Sequence, residues 1–121
     1  MDQGRTSELY RRLLRGYQAL PAHTPLEERW TWLMAAHVVG QMRLGLHFDS
    51  HLRMLALAWR TRDWREVGGQ ALRLALVPVG HALGRLPTGN VGRATVNAFR
   101  PMHPPAAVRR LIAAQALPSR A

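Results

Sequence analysis

HVVGQMRLGLHFDSH, residues 37–51, carries three of the chain's six histidines within fifteen positions. His47 and His51 are four apart, so on a helix their imidazoles leave from one face about one turn apart, a spacing that a single metal ion can bridge. RLGL, residues 43–46, reads as a short connection between two helical patterns, and short connections join antiparallel neighbours. With the turn centred near Leu44, His37 falls opposite His51 and Gln41 opposite His47. One face then carries Trp30, Leu33, Met34, His37 and Gln41, and the facing one carries His47, His51, Met54 and Ala58. The reading that decides the fold is therefore a helical hairpin whose imidazoles converge. The competing reading for each ring is a core histidine bonded to a carbonyl or hydroxyl. Several buried imidazoles each need partners, at a cost of about 1–3 kcal/mol for a group left without one.

Upstream of the hairpin, Thr24, Pro25 and Glu27 form a Ser/Thr-x-x-Glu start for a helix running to about Met42. Before it, TSELYRRLLRGYQAL places Leu9, Leu13, Leu14 and Tyr17 at helical spacing with Arg11, Arg12 and Arg15 on the other side, and stops at Pro21. Downstream, Asp63 and Glu66 repeat the capping pattern for DWREVGGQALRLALVPVGHALG. That helix is weakened at Gly68 and Gly69 and expected to kink or end near Pro78. RLPTGNVGRATVNAFRPMHPP then reads as an irregular arm over about 85–104, with TVNAF extended, before a last amphipathic helix over about 105–117. The expected fold is all-α: one helical domain over 1–121, with a helical core over about 6–84. It is a small four- to five-helix bundle with an irregular Gly/Pro-rich C-terminal arm.

Composition sets the limits on chemistry. The 121-residue chain has no cysteine, which excludes disulfides, thiolate zinc sites and cysteine nucleophiles. Its formal charge is +10, and all 17 basic residues are arginine. Such a field favours non-specific polyanion binding at low salt. The absence of lysine, with Ile112 as the sole isoleucine, equally fits an arginine-favouring coding bias. The N-terminal residues lack the order of a secretory signal, and the longest apolar stretch, ALRLALVPVGHALG, is too short to span a bilayer. A soluble cytoplasmic protein is the expectation. A bundle this small with four tryptophans also has the means to bury a face in a homodimer.

Three neutral imidazoles around an open position suit zinc, copper or iron. Met34 lies three before His37 and Met54 three after His51, so a thioether near the same centre would favour copper; the alternative is core packing. His81, just after Pro78, is a further nitrogen or a cap for carbonyls that the proline frees. Asp49 sits opposite the His47 and His51 stripe, and His23 and His103 lie in proline-containing connections, where surface positions are expected. PTGNVGR offers Gly89, Asn90, Gly92 and Arg93 as an anion-binding nest, or as a tight turn anchoring the arm. AWRTRDWRE has the stacking chemistry of single-stranded nucleic-acid binding, although buried indoles beside arginines at a bundle edge account for it as well. No Ser/His/Asp or paired-carboxylate arrangement stands out.

AAHVVGQ, HFDSHLRML, RTRDWREVGGQALRL, GRLPTGNVGRATVNAFRPM and PP, in unbroken order from about Trp30 to Pro105, resemble a small bacterial family known as domain of unknown function 3703. The resemblance places His37, Gln41, His47, His51, Gln70, Gly89, Asn90 and Gly92 on family motifs. It implies that the histidine grouping is a family feature without naming a biochemical role. Two positions depart from the pattern: Met34 stands where Leu-Glu-x-Ala-His has its Glu, and Val91 where Gly-Asn-Thr-Gly has its Thr. Without the Glu, the Glu-x-x-His carboxylate used in iron bundles is missing, which leaves copper or zinc favoured over iron.

Two functional readings follow. One is a metal-binding helical protein, either a small metalloenzyme or a metal-handling protein, with His37, His47 and His51 as ligands and Gln41, Met34, Met54 and His81 as accessories. The other is a non-catalytic basic helical module that binds a protein partner or nucleic acid.

Overall fold

The computed structural model describes residues 3–84, 90–94 and 102–117. Five helices occur in chain order, α1 (Gln3–Gln18), α2 (Leu26–Gly40), α3 (Leu44–Arg60), α4 (Trp64–Leu83) and α5 (Ala106–Ala116). There is no strand among the described residues, so the protein is an all-α bundle. α2 lies at its centre, packed against α1, α3 and α5, while α4 covers the outer side of α3.

The core follows from helical periodicity. Leu9, Tyr10, Leu13 and Leu14 of α1 meet Trp30, Leu33 and Ala36 of α2, with Met54, Leu57 and Ala58 of α3 and Val108 of α5 completing the cluster. Small residues let the helices close up. A side chain at Gly40 would lie 2.9 Å from Leu46 and 3.1 Å from the Tyr10 ring, so α1 and the start of α3 both press on the end of α2. Polar ties fix the packing: Tyr10 donates to Asp49 at 2.6 Å, and Arg12 of α1 donates to the carbonyls of Gln115 and Leu117 at the end of α5.

Several boundaries differ from the sequence expectation for identifiable reasons. α1 already begins at Gln3. Pro25 occupies the cap position of α2 rather than the first helical turn, with ψ 143 and no side-chain cap bond. Thr24 is then one residue too early to reach the first amides, and the Thr24–Glu27 box does not form. α2 stops at Gly40, and Gln41–Arg43 make the turn that was expected nearer Leu44. Asp63 does cap α4, accepting from the Glu66 amide at 3.2 Å, but the Glu66 side chain turns inward instead of returning to the cap. α4 runs through Pro78 to Leu83 and closes on Gly84 in the left-handed region at φ 67. Pro78 is exposed, so the carbonyl it leaves without an amide lies on the solvent side, while Val77 and Gly80 stay packed inward.

Trp59 and Trp64 are not buried edge indoles: they are 62% and 57% exposed and meet edge to face at the α3–α4 turn, 5.3 Å between ring centres. No helix among the described residues is long and apolar enough to cross a membrane. The proposed extended run TVNAF lies outside the described residues.

Candidate metal centre

The turn at Gln41–Arg43 decides how the imidazoles meet. Folding about Met42, rather than Leu44, brings His37 level with the first turns of α3, between His47 and His51. His37 Nε2 lies 3.1 Å from His47 Nε2 and 3.2 Å from His51 Nε2. The expected pairing of His37 with His51 is present, and His47, which the spacing sets opposite Gln41, faces His37 as well. His37, His47, His51 and Gln41 are all buried, at 2%, 5%, 2% and 2% exposure. The three imidazoles offer ligand atoms that all lie within 4.8 Å of one another, a group able to hold a metal ion.

Each Nδ1 atom is held from behind, that of His37 by the arm and those of His47 and His51 by α4. His37 Nδ1 lies 2.7 Å from the Asn90 carbonyl, an acceptor only, so it carries the proton and donates. His51 Nδ1 lies 2.7 Å from Gln70 Oε1. The orientation of the Gln70 amide is set by its nitrogen, which donates to Glu66 Oε2 and to the Gly92 carbonyl, both at 2.9 Å. His51 Nδ1 is therefore a donor too. His47 Nδ1 meets His81 Nε2 of α4 at 3.0 Å, and Ser50 donates to the His47 carbonyl at 2.7 Å. In their neutral forms His37 and His51 thus aim two Nε2 lone pairs at each other.

Burial keeps these rings neutral. Desolvation, reinforced by His51 and His47 and by Arg73, holds His37 well below the ordinary histidine range. Desolvation with the neighbouring His51 and His81 lowers His47 to about 3. His51 is lowered to about 4, again mainly by burial and further by Arg73, against the Gln70 bond and Glu66, which act upward.

The arm closes the site. Asn90 Oδ1 accepts from the Gly92 amide at 2.8 Å, bending the chain so that the Asn90 and Gly92 carbonyls reach His37 and Gln70. Gly92 has φ 85, and a Cβ there would lie 2.7 Å from the His37 ring. Glu66, 2% exposed, anchors the arm by accepting from Arg93 Nε at 2.9 Å and the Ala94 amide at 2.8 Å. The Arg93 guanidinium also lies 4.0 Å over the Trp30 ring. The Gly92 amide and Arg93 are thus engaged with protein acceptors, and Gly89 lies outside the described residues.

Among the accessory residues, His81 touches the centre through His47, whereas Met54 belongs to the hydrophobic core and Met34 packs against it. His23 and His103 are exposed. Asp49 is taken up by Tyr10 and Arg53. Sequence reasoning missed Glu66 as a buried anchor and derived no role for Gln70. The signal was available: Glu66, Gln70 and Arg73 share the inward stripe of α4 with Val77 and Gly80, and charged or amide side chains on a buried helical stripe demand partners.

No curated protein and no solved structure matches the chain. A family model matches residues 5–112, nearly the whole chain, and the protein therefore belongs to the family described as protein of unknown function DUF3703.

Proposed function

We propose that this is a metal-binding helical protein whose ion sits among the Nε2 atoms of His37, His47 and His51. The observation that carries the reading is the direction of the lone pairs. With Nδ1 of His37 and His51 committed to the Asn90 carbonyl and Gln70 Oε1, two buried Nε2 atoms 3.2 Å apart have no proton between them. A cation relieves that repulsion. Two nitrogens on one ion at metal–nitrogen bonds of about 2.0–2.1 Å lie about 3.3–3.4 Å apart at a tetrahedral angle, close to the 3.1 and 3.2 Å that separate His37 from His47 and His51, and the three ligand atoms all lie within 4.8 Å of one another. Oxygen acceptors behind ligand imidazoles are the usual outer support of metal histidines, fixing tautomer and ring orientation. Copper or zinc fits this all-nitrogen set better than iron, which favours added carboxylates.

The ligand rings are buried, and the Asn90–Arg93 segment is tucked over them. A metal-holding role suits that enclosure better than turnover of a bulky substrate. Untagged protein analysed for metal, alongside His51→Ala, tests the reading. One equivalent of a transition metal in the wild type and its loss in the variant is the expected result. A variant that keeps a full complement of metal counts against the site.

A further inference from the structure

We propose that the centre is built for a monovalent soft cation, copper(I), in preference to a divalent ion such as zinc(II); this rests on the metal reading above. The reason is charge. The chain has no cysteine and only seven acidic residues, and among the described residues the ligand group itself holds no carboxylate. Glu27 and Glu28 are exposed, and Glu8 is half-buried and paired with Arg11, Arg12 and Arg15. Asp49 bonds Tyr10 and Arg53, and Asp63 caps α4. Asp2 lies outside the described residues. Glu66 is the acidic group near the centre, and it is separated from His51 by Gln70 and already paired with Arg93.

The surroundings add positive charge. Arg73 is 7% exposed and acts on both His37 and His51, opposed at His51 by Glu66. An ion here sits in a neutral shell, in an enclosure that disfavours cations. The cost of placing an ion in such an enclosure grows with the square of its charge, about fourfold from a singly to a doubly charged ion of equal size. Coordination number points the same way. With His47 Nδ1 donating to His81, three Nε2 lone pairs complete a three-coordinate copper(I) shell, whereas zinc(II) on three histidines takes a water or substrate as its fourth ligand. A doubly charged ion would be best served by an anionic one, and the described residues place none in the ligand group.

The test is a pair of anaerobic competition titrations on the full chain. Copper(I) is titrated against bathocuproine disulfonate and zinc(II) against a chromophoric zinc chelator, for wild type, His51→Ala and His47→Asp. Copper(I) is expected to bind at one equivalent at least a hundredfold more tightly than zinc(II), with a three-coordinate X-ray absorption edge. His47→Asp, which adds one negative charge to the shell, should narrow that ratio at least tenfold. His81→Glu, which keeps all three ligands and sets a carboxylate behind His47, serves as the second charge-adding variant should His47→Asp not fold. Zinc(II) binding as tightly as copper(I), and lost in His51→Ala, overturns this inference and leaves the metal centre standing. A ratio that does not respond to the added charge also overturns it. Failure of both ions to bind at one equivalent removes the metal reading itself.

Discussion

His37 and His51 owe their behaviour to what lies behind them. A carbonyl and an oriented glutamine oxygen commit each Nδ1 to donating, so each ring presents a basic Nε2 inward. Protonating that nitrogen in the metal-free fold places a charge in a dry, already cationic setting, and burial lowers His47 to about 3 and His51 to about 4. The sign for stability follows. Between about pH 4 and the unfolded histidine value near 6.5, the unfolded chain binds more protons than the folded one, so folding weakens as pH falls. Metal-free protein should hold constant stability above about pH 6.5 and lose up to about 1.4 kcal/mol per pH unit for each buried histidine below it. Urea denaturation at stepped pH measures this. A flat profile from pH 7 to 4 would mean that the rings are not held neutral by burial.

α4 and the arm act together as the support for the imidazoles presented by α2 and α3. α4 carries Glu66, Gln70 and His81 toward the centre, and its Gly69 gives room for Ala94, since a Cβ there would collide with that residue. Gly92 is the tightest point. Its φ of 85 is a conformation that side chains disfavour by about 1–2 kcal/mol, and the His37 ring occupies the space a Cβ would need. Gly92→Ala should lift the arm, loosen the Asn90 bond to His37 and lower metal affinity about tenfold or more, in keeping with the loss of an outer-shell partner. The helices should stay intact. Amide exchange confined to residues 90–94, measured with the metal titration, would confirm this, whereas global exchange would mean that the arm is part of the folding core.

At the scale of the whole molecule, the centre joins segments remote in sequence: α2, α3, α4 and the arm all contribute. An ion bound there works against unfolding everywhere, because the unfolded chain has no preformed site. At a free metal concentration a hundred times the dissociation constant, the stabilisation is about 2.7 kcal/mol. A chelator should therefore lower the melting temperature of the loaded protein to that of the metal-free form, and leave the His51→Ala variant unchanged. Equal melting temperatures for wild type with and without metal would separate ion binding from the fold.

Residue spacing alone determined that the chain is helical, that α2 and α3 form a hairpin, and that His37, His47 and His51 share its inner face. Those are local consequences of a 3.6-residue period and a short turn, and both survive any tertiary arrangement. Asp63 as the cap of α4 was legible for the same reason. The rest depended on contacts between distant segments. A shift of the turn from Leu44 to Gln41–Arg43 decided which histidines face each other, beside the point where Tyr10 and Leu46 close on Gly40. The inward use of Glu66, the amide orientation of Gln70 and the carbonyl of Asn90 behind His37 exist only once the arm folds back. The position of the proton on His51 and on His37 is set by acceptors 19 and 53 residues away in the chain, which no local pattern encodes.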